Sequence, residues 1–362
     1  MRASLSSAVD SLDGARRWLY RFALSMRPLA YVLRQRSRRI EARACVAIVF
    51  AFALSVVAPA WMLALGPLLF GVPHVASEVR YLIVRRRLSR GLLTAVIVGC
   101  VTISGLRLVG RVSDDRVFFA RAEILVGALW VAGGALLATR KPGALRRLAW
   151  VAPPIIVAAA VAMRYATAAQ LAFVHAHNFG ALLLWLVLFR RRAGVPVLAL
   201  TLLGAALLLI VSGVTVPWSA SLGTLTALDV DVARIGAWLT PGVGASLAVP
   251  LALVHAFSDS VHYGTWLGII PEEEIRAEGS LTFRMTLRSL FADFGVMGVA
   301  VTVAAFAAVL VGCAVNLSSA RGVYFSAAGF HGYLELAVLA WLVVAGEMRP
   351  ALEVSERSRV NA

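Results

Sequence analysis

Lysine is almost missing from this 362-residue chain: Lys141 is the only one, and every other basic side chain apart from the histidines is an arginine. Cysteine is scarce too. Cys45, Cys100 and Cys313 lie far apart inside apolar runs, which excludes a disulfide framework and any thiolate metal site. Charged residues make up only 15% of the chain against 60% hydrophobic, and mean hydropathy is +0.83. A soluble domain is about 45–50% apolar, so water-soluble enzymes are excluded and a polytopic membrane protein is implied. Residues 1–43 do not read as a cleavable signal, and Cys45 follows a charged stretch rather than a lipidation box. No internal repeat stands out, and no loop is long enough for a soluble domain.

What charge there is has one sign in excess, a formal +16. Such an excess can mean nucleic acid. Here the arginines gather in short loops between apolar runs, as topology signals and phospholipid contacts do, so membrane lipids are the expected partners and nucleic acid is not.

At about 20 residues per crossing, apolar segments fall near 44–65, 66–84, 91–109, 121–139, 148–163, 167–190, 194–214, 242–268, 289–314 and 323–346. The expected fold is an all-α polytopic membrane helix bundle of about ten transmembrane helices. Arg85-Arg86-Arg87, Arg146-Arg147, Arg190-Arg191-Arg192 and Arg276 to Arg288 follow even-numbered segments. The positive-inside rule then puts both termini in the cytoplasm, in the plasma (inner) membrane. This divides the chain into a basic cytoplasmic arm over 1–43, a transmembrane domain over 44–348 and a cytoplasmic tail over 349–362. The arm reads as an interfacial amphipathic helix.

All six histidines fall inside these apolar segments: His74, His175, His177, His255, His262 and His331. His74, His177, His255 and His331 are close to the middle of their spans, hence at one depth. Acidic residues accompany three of them at a spacing of four: Glu78 after His74, Asp259 after His255 and Glu335 after His331. Four residues is about one helical turn, so each pair shares a face. Ionisable groups in hydrocarbon are expensive and mark functional sites. Neutral imidazole is the commonest metal ligand, with carboxylates holding the second ring nitrogen. A nitrogen-rich set without thiolate suits iron, zinc or copper.

The residues also carry a resemblance. Gly71-Val72-Pro73-His74-Val75-Ala76-Ser77-Glu78 resembles the Gly-x-Pro-His-Gly-Ala-x-Asp box of the Brp/Blh membrane β-carotene 15,15′-dioxygenases, with Val75 for the second glycine and Glu78 for the acid. His177-Asn178-Phe179-Gly180 is similar to that family's His-Phe-Gly box, interrupted by Asn178. His255 to His262 falls where the family has a tryptophan-histidine box, with Val254 for the tryptophan and the two histidines seven apart rather than four; Asp259 or Ser258 stands where the second is expected. Phe330-His331 takes the place of a late histidine. The resemblance implies an all-helical enzyme that binds one non-haem Fe(II) and splits β-carotene with dioxygen into two retinals. Carried over by position, the ligands are His74, His177, His255 and His262. His175, His331, Glu78, Asp259 and Glu335 are the supporting or alternative ligands.

The expected activity is therefore an iron-dependent oxygenase acting on a carotenoid or another apolar isoprenoid lipid, with dioxygen as co-substrate. Phe70, Phe173, Phe179, Phe257, Tyr263, Trp266 and Tyr333 are candidates to line an apolar slot. Two other classes remain open on the residues alone. One is a proton-coupled transporter, since buried histidines and acids also form proton relays. The other is a bis-histidine haem protein.

Overall fold

The computed structural model describes residues 2–86, 88–190, 194–274 and 282–348. Helix accounts for 85% of it, and the only sheet among the described residues pairs Thr226–Ala227 (β1) with Val230–Asp231 (β2). The all-α class follows. Seven helices among the described residues are long and apolar enough to cross a membrane, or eight when a bent pair is taken as one span. The tail expected over 349–362, the loop centre 275–281, and Arg87, Arg191 and Arg192 lie outside the described residues.

Each expected apolar segment falls on helix, with shifted ends. The arm is two helices, α1 (Arg2–Ser25) and α2 (Arg27–Arg34). α3 (Arg36–Val57) stops at Ala58, earlier than the boundary expected near residue 65. The residue before a proline is pushed out of helical geometry, and Ala58, preceding Pro59, has ψ 48°. α4 (Pro59–Glu78) keeps Pro67 and Pro73 inside it and continues as a π-helical turn, Val79–Val84. Next come α5 (Arg90–Val112), α6 (Arg116–Leu137) and α7 (Ala144–Arg164). The segment expected over 167–190 is broken into α8 (Ala166–His177) and α9 (Gly180–Leu184) with a π-turn, Trp185–Phe189, and is bent by 49°.

α10 (Val197–Val211), α11 (Val216–Ser221) and α12 (Val232–Leu239) lead to α13 (Ala245–Gly264), which runs through a third π-turn, Thr265–Ile269, into α14 (Ile270–Glu274). α15 (Phe283–Val315) kinks at Gly295, whose φ of 67° suits only glycine. The last segment is again broken, into α16 (Leu317–Ala328) and α17 (His331–Ala345).

The span α16–α17 is 61% buried over its apolar window, α7 only 6% and α15 not at all. α17 is thus a central helix, packed on α5, α6 and α7, while α7 and α15 present apolar sides outward. α13 packs on α3, α4 and α10. Outward-facing Val296, Met297 and Val301 on α15 are what lipid contact requires, since hydrocarbon is the solvent there.

One end of the bundle is tied by charge. Arg39 on α3, 3% exposed, meets Glu272 at 2.8 Å, and Arg43 reaches the same carboxylate at 2.8 Å. Arg190, at the end of the π-turn after α9, meets Glu273 at 3.0 Å. These arginines, read from sequence as topology and phospholipid signals, also lock α3, α9 and α14 together from within. The arm is joined to the body as well: Asp13 accepts from the backbone N–H groups of Phe283 and Arg284, the first residues of α15. A carboxylate there offsets the helix dipole and caps orphan donors.

Removing one member of a buried ion pair strands the other. Glu272→Ala is expected to lower stability by about 3–5 kcal/mol, seen as an earlier thermal transition in detergent. Glu347→Ala, which loses only the half-exposed pair with Lys141, should change stability by less than about 1 kcal/mol.

Candidate metal centre

Four of the histidines meet at the crossing of α4, α8, α13 and α17. Their ring centroids close a cycle: His74 to His262 5.1 Å, His262 to His177 4.7 Å, His177 to His331 4.5 Å and His331 to His74 5.0 Å. Each contact is edge-on, with interplanar angles of 69–81°. Imidazoles packed only for burial have no need to aim their edges at one point. Ligands around a common centre do.

The local chain breaks put two of them there. His177 is the last residue of α8 and His331 the first of α17, so both sit where their helix is interrupted. At such an end the last carbonyls have no helical donor. His331 Nδ1 donates to the carbonyl of Ala328 at 2.6 Å. His74 Nδ1 likewise donates to the Phe70 carbonyl at 3.2 Å, one turn back on α4. A carbonyl only accepts, so both rings carry their proton on Nδ1 and present a bare Nε2 inward.

The inward side is unsatisfied. His74 Nε2, both carboxylate oxygens of Glu78 and both ring nitrogens of His262 are buried without a hydrogen-bond partner among the described residues. His331 Nε2 and His177 Nε2 lie 3.0 Å apart. Two nitrogens each about 2.1 Å from one metal at a right angle are separated by about 3.0 Å. One ligand atom from each of His74, Glu78, His262 and His331 lies within 4.8 Å of the others. Leaving such groups bare in a protein interior costs several kcal/mol apiece, and a cation at their focus removes that cost. Three imidazoles and a carboxylate can therefore hold a metal ion here, with His177 alongside.

The acids are shared between helices differently from the expected pattern. Glu78 faces His262 (3.8 Å to Nε2), and Glu335 faces His177 (3.9 Å to Nδ1). Only Asp259 keeps to the residue four before it, 3.6 Å from His255 Nε2. Trp266, fully buried, fixes this arrangement. Its indole N–H donates to Glu335 at 3.0 Å, and its carbonyl, beside the π-turn, accepts from Ser77 Oγ at 2.6 Å. Gly180 leaves room for this: a Cβ there would come 2.7 Å from the Glu335 carboxylate. At Gly71 a Cβ would collide with the Tyr324 hydroxyl.

His255 belongs elsewhere, which corrects its expected place beside His74. It stacks edge-on with His175 at 5.3 Å, and Asn178 Nδ2 sits 3.3 Å from its Nδ1. Asn178 also donates to Asp259 and, at 3.2 Å, to Ser258 Oγ. Thus the asparagine that interrupts the second box pins the α8–α9 break to α13. Two helical turns between His255 and His262 send them to two different groups. His331, a supporting residue by sequence position, is central instead.

A cavity of about 550 Å³ joins the two groups, with His74, His177, His262 and His331 in its wall along with His255 and Asp259. Of the expected aromatic lining only Phe173 and Tyr263 take part. Phe257 and Trp266 are core residues, and Tyr333 donates to Glu123 at 3.1 Å. Trp238, Tyr324 and Phe325 complete the wall; an aromatic residue alone gave no signal to separate these from packing. Comparison of the chain with family models, curated proteins and solved structures gave no match.

The geometry predicts which histidines matter for metal. Purified protein should carry about one equivalent of a first-row metal, lost in His74→Ala and His331→Ala and kept in His255→Ala. Elemental analysis checks this, and loss in His255→Ala with retention in His331→Ala would reverse the assignment. Trp266→Phe, which frees Glu335, should weaken metal binding about 10–100-fold in a chelator competition.

Proposed function

We propose that the chain is a membrane-embedded non-haem iron oxygenase that oxidises a carotenoid or related isoprenoid lipid taken from the bilayer. The observation that carries this reading is the convergence of the His74 and His262 Nε2 atoms with the unpartnered Glu78 carboxylate, beside an apolar cavity that has His74, His262 and His331 in its wall. The Brp/Blh resemblance supplies the reaction class. The same reading includes about ten crossings, cytoplasmic termini and a plasma (inner) membrane location, supported by the arginine distribution.

Iron(II), when bound, supplies the electrons that let ground-state dioxygen attack a carbon–carbon double bond, chemistry no side chain offers. In cleavage of that bond each carbon takes one oxygen atom, giving two carbonyl products without an external reductant. The residues do the rest. His74 and His331 are held in one tautomer by Phe70 and Ala328, so no rotation is needed to present a lone pair. Glu78 contributes negative charge that favours a dication and faces the His262 ring at 3.8 Å. His74, Glu78, His262 and His331 would hold the ion, and the cavity beside them leaves room for dioxygen and substrate. Burial of His74, Glu78 and His262 excludes water, and the aromatic wall of Phe173, Tyr263 and Phe325 suits a flat polyene entering sideways from lipid.

Expression in a host that accumulates β-carotene tests the reading. Orange colour should fade with retinal formed, and His74→Ala or Glu78→Gln should cut the product at least about 100-fold, as expected when a metal ligand is lost. Unchanged carotenoid from iron-loaded protein would refute carotenoid cleavage. Zinc in place of iron would refute the oxygenase itself.

A further inference from the structure

The same cavity has a second chemistry at the end formed by α12 and α16. Ser318, Arg321, Gly322 and Phe325 line it. Their spacing of three and four marks one continuous face of α16. Arg321 is the unusual member. It is partly buried, its Nε is buried with no hydrogen-bond partner among the described residues, and its guanidinium lies over the Phe325 ring at 5.8 Å. Arg107, also in the wall, has its charge accounted for by Glu123 at 2.6 Å. Arg234, on α12, is exposed at the rim of the cavity. The one acid in the wall, Asp259, acts on Arg321 through its charge but makes no ion pair with it; it is bonded by Asn178 and faces His255.

An arginine in a membrane span is retained only for a partner or a function. A pure hydrocarbon offers a guanidinium nothing, whereas a carboxylate or phosphate matches its planar fork of donors. Arg321 lies seven residues, about 10 Å, before the end of α16 at Ala328, and His331 follows across the break. That is enough for a head group at Arg321 and a chain that reaches the histidines.

We infer that the substrate is an amphiphile with an anionic head, a carboxylate or a phosphate monoester, held by Arg321 with Arg234 at the rim while its isoprenoid chain runs to the His74–His331 centre. This rests on the oxygenase reading for what happens at the far end, but the head-group site stands on its own residues. It extends the substrate class of that reading from carotenoid hydrocarbons to isoprenoid acids and phosphates.

Titration of the full-length protein in neutral maltoside micelles, followed by tryptophan quenching, tests it with retinoic acid against methyl retinoate and farnesyl phosphate against farnesol. A charge-assisted pair predicts that at least one anion binds about 10- to 100-fold more tightly than its neutral counterpart. Arg321→Met should erase that preference, and Arg321→Lys should restore part of it. The preference should survive in His74→Ala, which separates head-group recognition from direct binding of the anion to metal. Equal affinity for acid and ester, and for phosphate and alcohol, overturns the proposal. So does a preference that persists in Arg321→Met and vanishes in His74→Ala. Inorganic phosphate displacing retinoic acid at the same concentration as farnesyl phosphate would show a simple anion site and also overturn it. Absence of iron in otherwise normal titrations would count against the oxygenase alone.

Discussion

In an interior surrounded by hydrocarbon, a polar group that loses its partner cannot turn to water, so every break in a helix has to be answered by a side chain. The end of α16 is answered by His331, whose Nδ1 hydrogen goes to Ala328. On α4, His74 gives its Nδ1 hydrogen to Phe70. These two bonds settle the backbone and the imidazole tautomer at once. The cost is moved inward, onto the His74 Nε2, which finds no donor among the described residues, and the His331 Nε2, which has only the His177 Nε2 beside it at 3.0 Å. The stability of the bundle and the affinity of its centre for a cation are thus coupled through the same rings.

The acids follow the same constraint. A carboxylate one turn from a histidine on its own helix is geometrically able to bond it, yet Glu78 and Glu335 turn to histidines on other helices, His262 and His177. Cross-pairing of this kind joins α4 to α13 and α17 to α8 at the level of the site, where π-turns after Glu78 and Gly264 widen the helices. Such turns release carbonyls from the regular ladder. Trp266 uses one to take the Ser77 hydroxyl, and its indole holds Glu335. Removing the Trp266 indole or the Ser77 hydroxyl would leave a buried acceptor on the opposite helix without its donor.

How much of this was legible depended on what each signal measures. Hydropathy finds apolar runs, and all of those read from the sequence lie on helix, because burial in lipid and helix formation ask for the same residues. It does not see where a run is cut. Ala58, Asn178 and Gly329 lie within or beside apolar sequence, and the two later breaks are what carry His177 and His331 into the centre. That His74, His177 and His331 come together was readable from span midpoints; that His262 rather than His255 joins them was not. Which histidine faces which was not, since that is set by helix rotation and by the breaks. His255 shows the limit: it sits at the midpoint of its span, but the face that points to the four-histidine cycle belongs to His262, two turns along.

The arginines show why a charge count underdetermines function. Arg39 and Arg190 lie at an end of the bundle and fit a topology signal, yet they are buried and paired, and so act on packing. Arg107 is equally within a span and is neutralised by Glu123. Arg321 has the same sequence character as these and differs in what surrounds it: a cavity on one side, an aromatic face on the other, and an Nε with no acceptor among the described residues. A partly buried cation whose Nε has no acceptor among the described residues is the counterpart of the unsatisfied His74 Nε2 at the other end. One end of the cavity lacks a cation and the other an anion, and a metal ion with an anionic amphiphile between them would satisfy both.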